Sequence, residues 1–88
     1  MTKPGEIETV IRSLFREIYF GQHPDGVMPD LEPGSILLET GLDSLGFAIL
    51  VTRLEDELGY DPFSLAAEAY YPQTFGELVA FYVVHCPQ

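Results

Sequence analysis

The chain has 88 residues, 47% of them hydrophobic, and a formal net charge of −10 from 14 acidic and 4 basic side chains. This length suits one domain with a modest core, and the hydrophobic content argues against disorder. The negative charge argues against nucleic acid and anionic membranes as partners and favours proteins that carry basic patches. We therefore expect a single domain over residues 1–88 with no nucleic-acid partner.

Signals for export, membranes and disulfides are weak. The single cysteine, Cys86, cannot form a disulfide within the chain, which suits a reducing compartment. Residues 1–10 lack an apolar stretch of signal-peptide length, and the apolar runs at 47–51 and 78–84 are too short to span a bilayer. We expect a cytoplasmic monomer without stable membrane insertion.

The first predicted element is a helix over residues 6–20. Its apolar residues share one helical face: Ile7, Val10, Ile11, Leu14, Phe15 and Ile18. Pro4 suits the first turn and Gly21 the exit. Residues 21–43 predict a long loop, because Gly, Pro and Asp are frequent there. Five apolar residues are expected to hold this loop across the helices: Leu31, Ile36, Leu37, Leu38 and Leu42.

The second predicted helix runs from about Ser44 to Leu58. Asp43 and Ser44 both offer oxygens that can cap its N-terminus. Gly59 offers a stop, because glycine adopts the left-handed conformation at helix ends without steric cost.

Two further helices complete the predicted fold. A short helix is expected around residues 64–69, opened by Pro62, and a final helix starts at Thr74, where Glu77 completes a capping box. The apolar face of the final helix consists of Phe75, Leu78, Val79, Tyr82 and Val83. No run alternates with period two over a useful length, so we expect no strand. The predicted class is all-α: a four-helix bundle of three main helices and one short helix, with a long loop after the first.

The second predicted helix carries two apolar stripes at helical spacing. The first stripe consists of Phe47, Leu50, Val51, Leu54 and Leu58, and it suffices to close a core. The second stripe consists of Leu45, Ala48, Ile49 and Thr52. Either the second stripe packs under the long loop, or it stays exposed and contacts partners. In the latter case the acidic turn that follows it, Glu55, Asp56 and Glu57, forms a recognition edge.

Ser44 has two interpretations. It lies where the N–H groups of a helix lack partners and where the helix dipole is positive. It is therefore either a plain N-cap or the attachment point of a phosphate-linked group, which such a position stabilises. The tripeptide Asp43-Ser44-Leu45 taken alone favours the plain cap, because such tripeptides are common.

The wider context of Ser44 resembles the acyl carrier protein family. Residues 37–63, LLETGLDSLGFAILVTRLEDELGYDPF, follow that family's pattern of an apolar loop end, Gly-x-Asp-Ser-Leu, and a leucine-spaced helix with an acidic flank. The matching residues are Gly41, Asp43, Ser44, Leu45, Leu50, Leu54, Glu55, Asp56 and Leu58. Residues 71–82 resemble the family's final helix, and the first predicted helix and the long loop match the family in length and position. The resemblance therefore covers essentially the whole chain.

The resemblance implies a carrier and not an enzyme. A phosphopantetheinyl transferase would attach 4′-phosphopantetheine from coenzyme A to Ser44, and the terminal thiol would hold acyl groups as thioesters. Partners would include an acyl-loading ligase or acyltransferase and a ketosynthase or other acyl-transfer enzyme, each with a basic patch. Asp43 and Leu45 would help the transferase recognise the site. The remaining contacts to partners would come from Ala48, Ile49, Thr52, Glu55 and Asp56.

Three residues depart from the pattern of fatty-acid carriers. Gly46 and Ile49 stand where those carriers often have acidic residues, and Arg53 adds a positive charge. We therefore expect a dedicated pathway, such as a polyketide-like, modified-lipid or surface-glycan route. Asp43 favours an acyl cargo over an aminoacyl or peptidyl one. The alternatives are an aminoacyl or peptidyl carrier and an unmodified helical interaction module with the carrier fold.

Other candidate sites are weaker. His85 and Cys86 are adjacent, so they point in different directions on a helix, and no third group orients them. The loop residues with ligating side chains match no compact metal-binding spacing and are expected to be solvated: His23, Asp25, Asp30 and Glu32. We expect no catalytic residue and no metal site.

Overall fold

The computed structural model describes residues 3–65 and 71–86, and the described chain is all-α. It contains four α-helices: α1 Pro4–Gln22, α2 Ser44–Leu58, α3 Pro62–Leu65 and α4 Phe75–Val84. A short 3-10 turn, Leu37–Glu39, lies in the long loop between α1 and α2. The predicted class, a small helical bundle with a long loop after the first helix, is confirmed. No helix in this part of the chain is both long enough and apolar enough to cross a membrane.

The helix boundaries follow from capping residues that the sequence displays. α2 ends at Gly59, whose φ of 82° is left-handed and favours glycine. α4 begins after Thr74, whose Oγ1 accepts the N–H of Glu77 at 3.1 Å. α3 is described as Pro62–Leu65, and the remainder of the helix predicted around 64–69 lies outside the described residues.

The core lies where α1 and α2 pack together and α4 closes over α1. The buried residues of these helices include Ile7, Ile11, Leu14, Phe15, Ile18, Leu50, Leu54, Phe75, Leu78, Phe81 and Tyr82. The predicted inner faces of α1 and α2 are therefore confirmed at their centres. Phe81 was not predicted to be buried, because α4 is apolar nearly all round and its pattern does not define one inner face.

The long loop is anchored by three of the five residues predicted to hold it. Leu31, Leu37 and Leu42 are buried, whereas Ile36 and Leu38 are 48% and 60% exposed. The prediction is wrong for these two residues because Leu37 opens the 3-10 turn. Successive residues of such a turn point about 120° apart, so that one of three neighbours faces the core.

Backbone hydrogen bonds join this loop to the N-terminus of α4. Three N–H groups donate between the two segments: Leu37 to Gln73 O at 2.9 Å, Phe75 to Ser35 O at 2.8 Å and Gly76 to Pro33 O at 3.0 Å. Ile36 and Thr74 form an isolated β-bridge between the same segments. The loop is thereby fixed beside residues 71–74, which lead into α4.

Gly76 is required by this close approach, and its replacement gives a first testable prediction. A Cβ at Gly76 would lie 2.8 Å from Pro33 O, so the backbone would have to move. We expect Gly76→Ala to lower the free energy of unfolding by roughly 1–3 kcal/mol, as overpacking does. Gly5→Ala is the matched control, because Gly5 is also the second residue of its helix and no atom lies within 4 Å of a Cβ built there.

Urea unfolding of the two glycine variants measures this difference. Gly5→Ala should be neutral or more stable by up to about 1 kcal/mol, since alanine is the better helix former. Equal stability of the two variants would contradict the close approach of Gly76 to Pro33.

Candidate functional site

Ser44 is the first residue of α2, and it is exposed. The helix is capped by Asp43, whose Oδ1 accepts the N–H of Gly46 at 2.7 Å. The interpretation of Ser44 as a plain N-cap is therefore wrong. Within residues 3–65 and 71–86, the Ser44 hydroxyl has no hydrogen-bond partner. It can react without breaking a bond that holds the fold.

The turn that precedes Ser44 is anchored to the C-terminal end of α1. Gly41 has a φ of 100°, and a Cβ there would lie 2.9 Å from the Tyr19 ring. His23 Nε2 lies 2.8 Å from Gly41 O, so this histidine is exposed but bonded, and not merely solvated as predicted. Gln22 Nε2 donates to Asp43 Oδ1 at 3.1 Å. These contacts place Ser44 at a defined position beside α1.

Hydrogen bonds lower the pKa of the Asp43 carboxyl. The N–H of Gly46 is the main cause, followed by the side-chain amide of Gln22, because both favour the charged form. A carboxyl with a lower pKa in the folded state than in the unfolded state stabilises the fold above its unfolded pKa. That contribution is lost as the pH falls through the folded pKa. Asp43 is therefore ionised at neutral pH, directly beside Ser44.

An open groove of about 390 Å³ lies beside Ser44. It is lined by Ile36, Leu37, Leu38, Ser44, Phe47, Tyr71, Pro72 and Gln73. The exposed side chains of Ile36 and Leu38 thus belong to its wall, together with Tyr71, which is 78% exposed. The groove exists because hydrogen bonds hold the loop next to residues 71–74. Its largely apolar lining suits a flexible ligand with an apolar part.

The second stripe of α2 is exposed. Leu45 is 65% and Ile49 40% exposed, and Ala48 and Thr52 are exposed as well. The interpretation that this stripe packs under the loop is therefore wrong. The acidic turn is also exposed. Stripe and turn lie on the helix that begins at Ser44, so one approaching protein can contact all three features.

Of the three departures from fatty-acid carriers, Ile49 belongs to this exposed stripe and Arg53 borders it, because both line one shallow pocket with Ala48 and Thr52. Gly46 is buried, and a Cβ there would lie 2.7 Å from Leu42 Cδ1. Close packing against Leu42 therefore favours glycine at this position. Arg53 Nη2 pairs with Glu17 Oε2 at 3.0 Å across α2 and α1. The positive charge of Arg53 is thereby balanced by a neighbouring carboxylate.

Exposure of Ile49 predicts that a charge is tolerated there. We expect Ile49→Glu to change the free energy of unfolding by less than about 0.5 kcal/mol, as is usual for surface positions. Leu50→Glu is the matched control, because Leu50 is fully buried and an unpaired charge there should prevent folding. Circular dichroism and urea unfolding measure both. A large loss of stability in Ile49→Glu would place the second stripe in the core.

Of the weaker candidates, His85 contacts a residue of α4, the helix that it follows. His85 Nδ1 lies 3.1 Å from Phe81 O, and its ring packs against the Phe81 ring with centroids 4.7 Å apart. In the part of the chain that the structure describes, no three His, Cys, Asp or Glu side chains lie together as metal ligands would.

No known family model, curated protein or solved structure matches this chain. Inference about function therefore rests on three features of the molecule. These are the exposed hydroxyl of Ser44, the groove beside it and the exposed stripe of α2.

Proposed function

We propose that this chain is an acyl carrier protein that receives 4′-phosphopantetheine on Ser44 and presents acyl thioesters to partner enzymes. The observation that supports it best is the exposed hydroxyl of Ser44, which has no partner among the described residues and lies beside an open apolar groove. The hydroxyl stands in the sequence Gly41-Leu42-Asp43-Ser44-Leu45, by which the chain resembles the acyl carrier family. A cytoplasmic monomer is part of the same proposal.

In the attachment reaction, the Ser44 oxygen forms a bond to the phosphorus that carries pantetheine in coenzyme A. The bond from this phosphorus to the bridging oxygen of the diphosphate breaks, and adenosine 3′,5′-bisphosphate leaves. The hydroxyl proton passes to a base of the transferase, since a general base is needed to activate a serine. The chain supplies the nucleophile and holds it in an accessible position.

The N-terminus of α2 favours the phosphodiester that results. Helix geometry leaves the N–H groups of Ser44 and Leu45 without a partner in their own helix. These groups and the positive end of the dipole attract a phosphate. The Asp43 carboxylate offsets part of this attraction, but both groups are exposed and salt screens their repulsion.

The groove fits the attached group in position and in chemistry. Phosphopantetheine, when bound, supplies a terminal thiol that holds an acyl group as a thioester. Leu38, Phe47 and Tyr71 would shelter the apolar part of such a cargo from water. Because the groove is open to solvent, the cargo could pass to a partner enzyme without any separation of the core helices.

The exposed stripe and the acidic turn would bind partner enzymes. Apolar contacts at Leu45 and Ile49, flanked by Glu55 and Asp56, complement an apolar patch with a basic rim. The transferase, an acyl-loading ligase or acyltransferase, and a ketosynthase are the partner classes that the carrier reaction requires. The net charge of −10 would steer basic partners toward the chain.

Ile49 favours a dedicated pathway with an acyl cargo, whether polyketide-like, modified-lipid or surface-glycan. A carrier of fatty-acid synthesis would be expected to present an acidic residue there. If a fatty-acid ketosynthase and malonyl transferase used this protein as efficiently as their own carrier, the dedicated pathway would be wrong.

Intact mass spectrometry tests the carrier function. The purified protein is measured before and after incubation with coenzyme A and a broad-specificity phosphopantetheinyl transferase. We expect a gain of one phosphopantetheine per chain. A folded protein that gains none would contradict the proposal and would favour an unmodified helical interaction module.

A further inference from the structure

Gln22, the last residue of α1, reaches across to the start of α2. Its Nε2 donates to Asp43 Oδ1 at 3.1 Å, and the same oxygen accepts the N–H of Gly46 at 2.7 Å. Asp43 Oδ1 therefore receives one donor from each helix. The two bonded side chains are 21 residues apart in sequence, so this contact belongs to the tertiary structure.

Gly46 leaves the space that Gln22 occupies. A Cβ at position 46 would lie 3.0 Å from Gln22 Oε1 as well as 2.7 Å from Leu42 Cδ1. The amide of Gln22 thus packs over the first turn of α2. The absence of a side chain at Gly46 and the reach of Gln22 are two parts of one arrangement.

His23 binds the other end of the same turn. Its Nε2 lies 2.8 Å from Gly41 O, and its ring packs against Tyr19 with centroids 4.8 Å apart. Because the acceptor is a carbonyl, Nε2 carries a hydrogen whether the ring is neutral or charged. The turn that leads to Ser44 is therefore held at Gly41 by His23 and at Asp43 by Gln22.

The Gly46 N–H caps the helix through Oδ1 of Asp43, and the Gln22 amide adds a second donor to the same oxygen from another helix. This second donor restricts how the carboxylate can turn. Asp43 is exposed, so its other oxygen, Oδ2, remains available to a cationic group that approaches Ser44.

We propose that Gln22 is a positioning residue for the modification of Ser44. It fixes the Asp43 carboxylate so that one oxygen caps α2 and the other is presented, next to the Ser44 hydroxyl, to a cation of the transferase. This inference rests on the proposed function. Gln22 acts through Asp43, so its effect should appear chiefly in how well the transferase recognises the chain.

Gln22→Met and Gln22→Glu test this role. The first removes the donor at similar length, and the second also places a like charge beside Asp43. We expect kcat/KM for phosphopantetheine transfer to fall roughly 3- to 10-fold, chiefly through KM, which is the size expected when one more side chain must be immobilised on binding. The fall in kcat/KM should be larger for Gln22→Glu than for Gln22→Met, near the 10-fold end of this range. Ser13→Met is the control, at an exposed position about 13 Å along α1 from Gln22 at 1.5 Å per residue.

A second measurement does not depend on loading. The Asp43 carboxyl is titrated by carbon-13 NMR in the unmodified wild-type protein and in Gln22→Met. Loss of the Gln22 donor should raise the pKa of Asp43, because that donor favours the charged form. An unchanged titration would overturn the positioning role, whatever the kinetics.

A double variant separates action through Asp43 from any other effect. In an Asp43→Ala background, Gln22→Met should have no further effect on kcat/KM, because the group that Gln22 positions is gone. Additive losses would overturn the proposal. Loading of the wild type reports on the proposed carrier function, and the difference between wild type and Gln22 variants reports on Gln22, so the two can fail separately.

Discussion

Replacing Ser44 with alanine is expected to abolish attachment of phosphopantetheine while leaving the fold intact. The substitution removes the nucleophilic oxygen and no structural hydrogen bond among the described residues, since Asp43 caps the helix. Ser44 is exposed, and alanine is a better helix former than serine, so the free energy of unfolding should change by less than about 0.5 kcal/mol. Intact mass after incubation with the transferase and urea unfolding measure the two effects.

Two controls make the Ser44 result specific. Ser13→Ala removes another exposed hydroxyl, on α1, and should be loaded like the wild type. Asp43→Ala removes the true cap and should destabilise α2, which Ser44→Ala should not. A Ser44→Ala protein that still gains phosphopantetheine, or that no longer folds, would contradict the assigned role of Ser44.

Truncation of Leu54 should cause the largest loss of stability among the conservative substitutions considered for α2. Leu54 is fully buried in the core between α1, α2 and α4. Leu54→Ala removes apolar contacts and leaves a cavity, which typically costs roughly 2–5 kcal/mol. For a domain whose total stability is roughly 5–15 kcal/mol, this is a substantial part. The midpoint of urea unfolding measures it.

Leu45→Ala is the matched control for Leu54→Ala. It makes the same chemical change on the same helix, but Leu45 is 65% exposed in the second stripe. Its effect on stability should stay within about 0.5 kcal/mol. Similar losses of stability in the two variants would mean that α2 has no distinct inner and outer apolar stripes. That result would contradict the surface proposed for partner enzymes.

The helices were predictable because local chemistry fixes them. Thr74 and Glu77 cap α4 through residues three apart, and Gly59 ends α2 by its own left-handed conformation. The apolar period of α1 selects its buried face without reference to the rest of the chain. The start of α2 was also predicted, but the cap was not assigned. Asp43 and Ser44 are adjacent and both residue types favour that position, so the sequence does not distinguish them.

The groove could not be predicted, because contacts distant in sequence form it. Its walls depend on hydrogen bonds between residues 33–37 and 73–76, which no local pattern encodes. The exposure of Ile36 and Leu38 follows from the same pairing. Ile36 and Leu38 flank the buried Leu37. Their exposure can be inferred from the sequence only once the 3-10 turn is known.

The contacts of Gln22 and His23 were missed for a similar reason. Both residues follow the predicted apolar face of α1, where a polar side chain is usually solvated. Their partners, Asp43 and Gly41, are 21 and 18 residues away. The unusual Gly46 near the start of α2 was the visible signal, since a missing side chain in a helix often marks a close approach by another group.

Localisation of the modification on the chain tests the central claim most directly. No Lys or Arg lies between Glu17 and Arg53, so trypsin places Ser44 in the single peptide 17–53, together with Ser35, Thr40 and Thr52. Fragmentation of this peptide by tandem mass spectrometry, after incubation with coenzyme A and the transferase, distinguishes the four serine and threonine hydroxyls. We predict one phosphopantetheine on Ser44. Modification of Ser35, Thr40 or Thr52, or a peptide 17–53 that stays unmodified, would contradict the account.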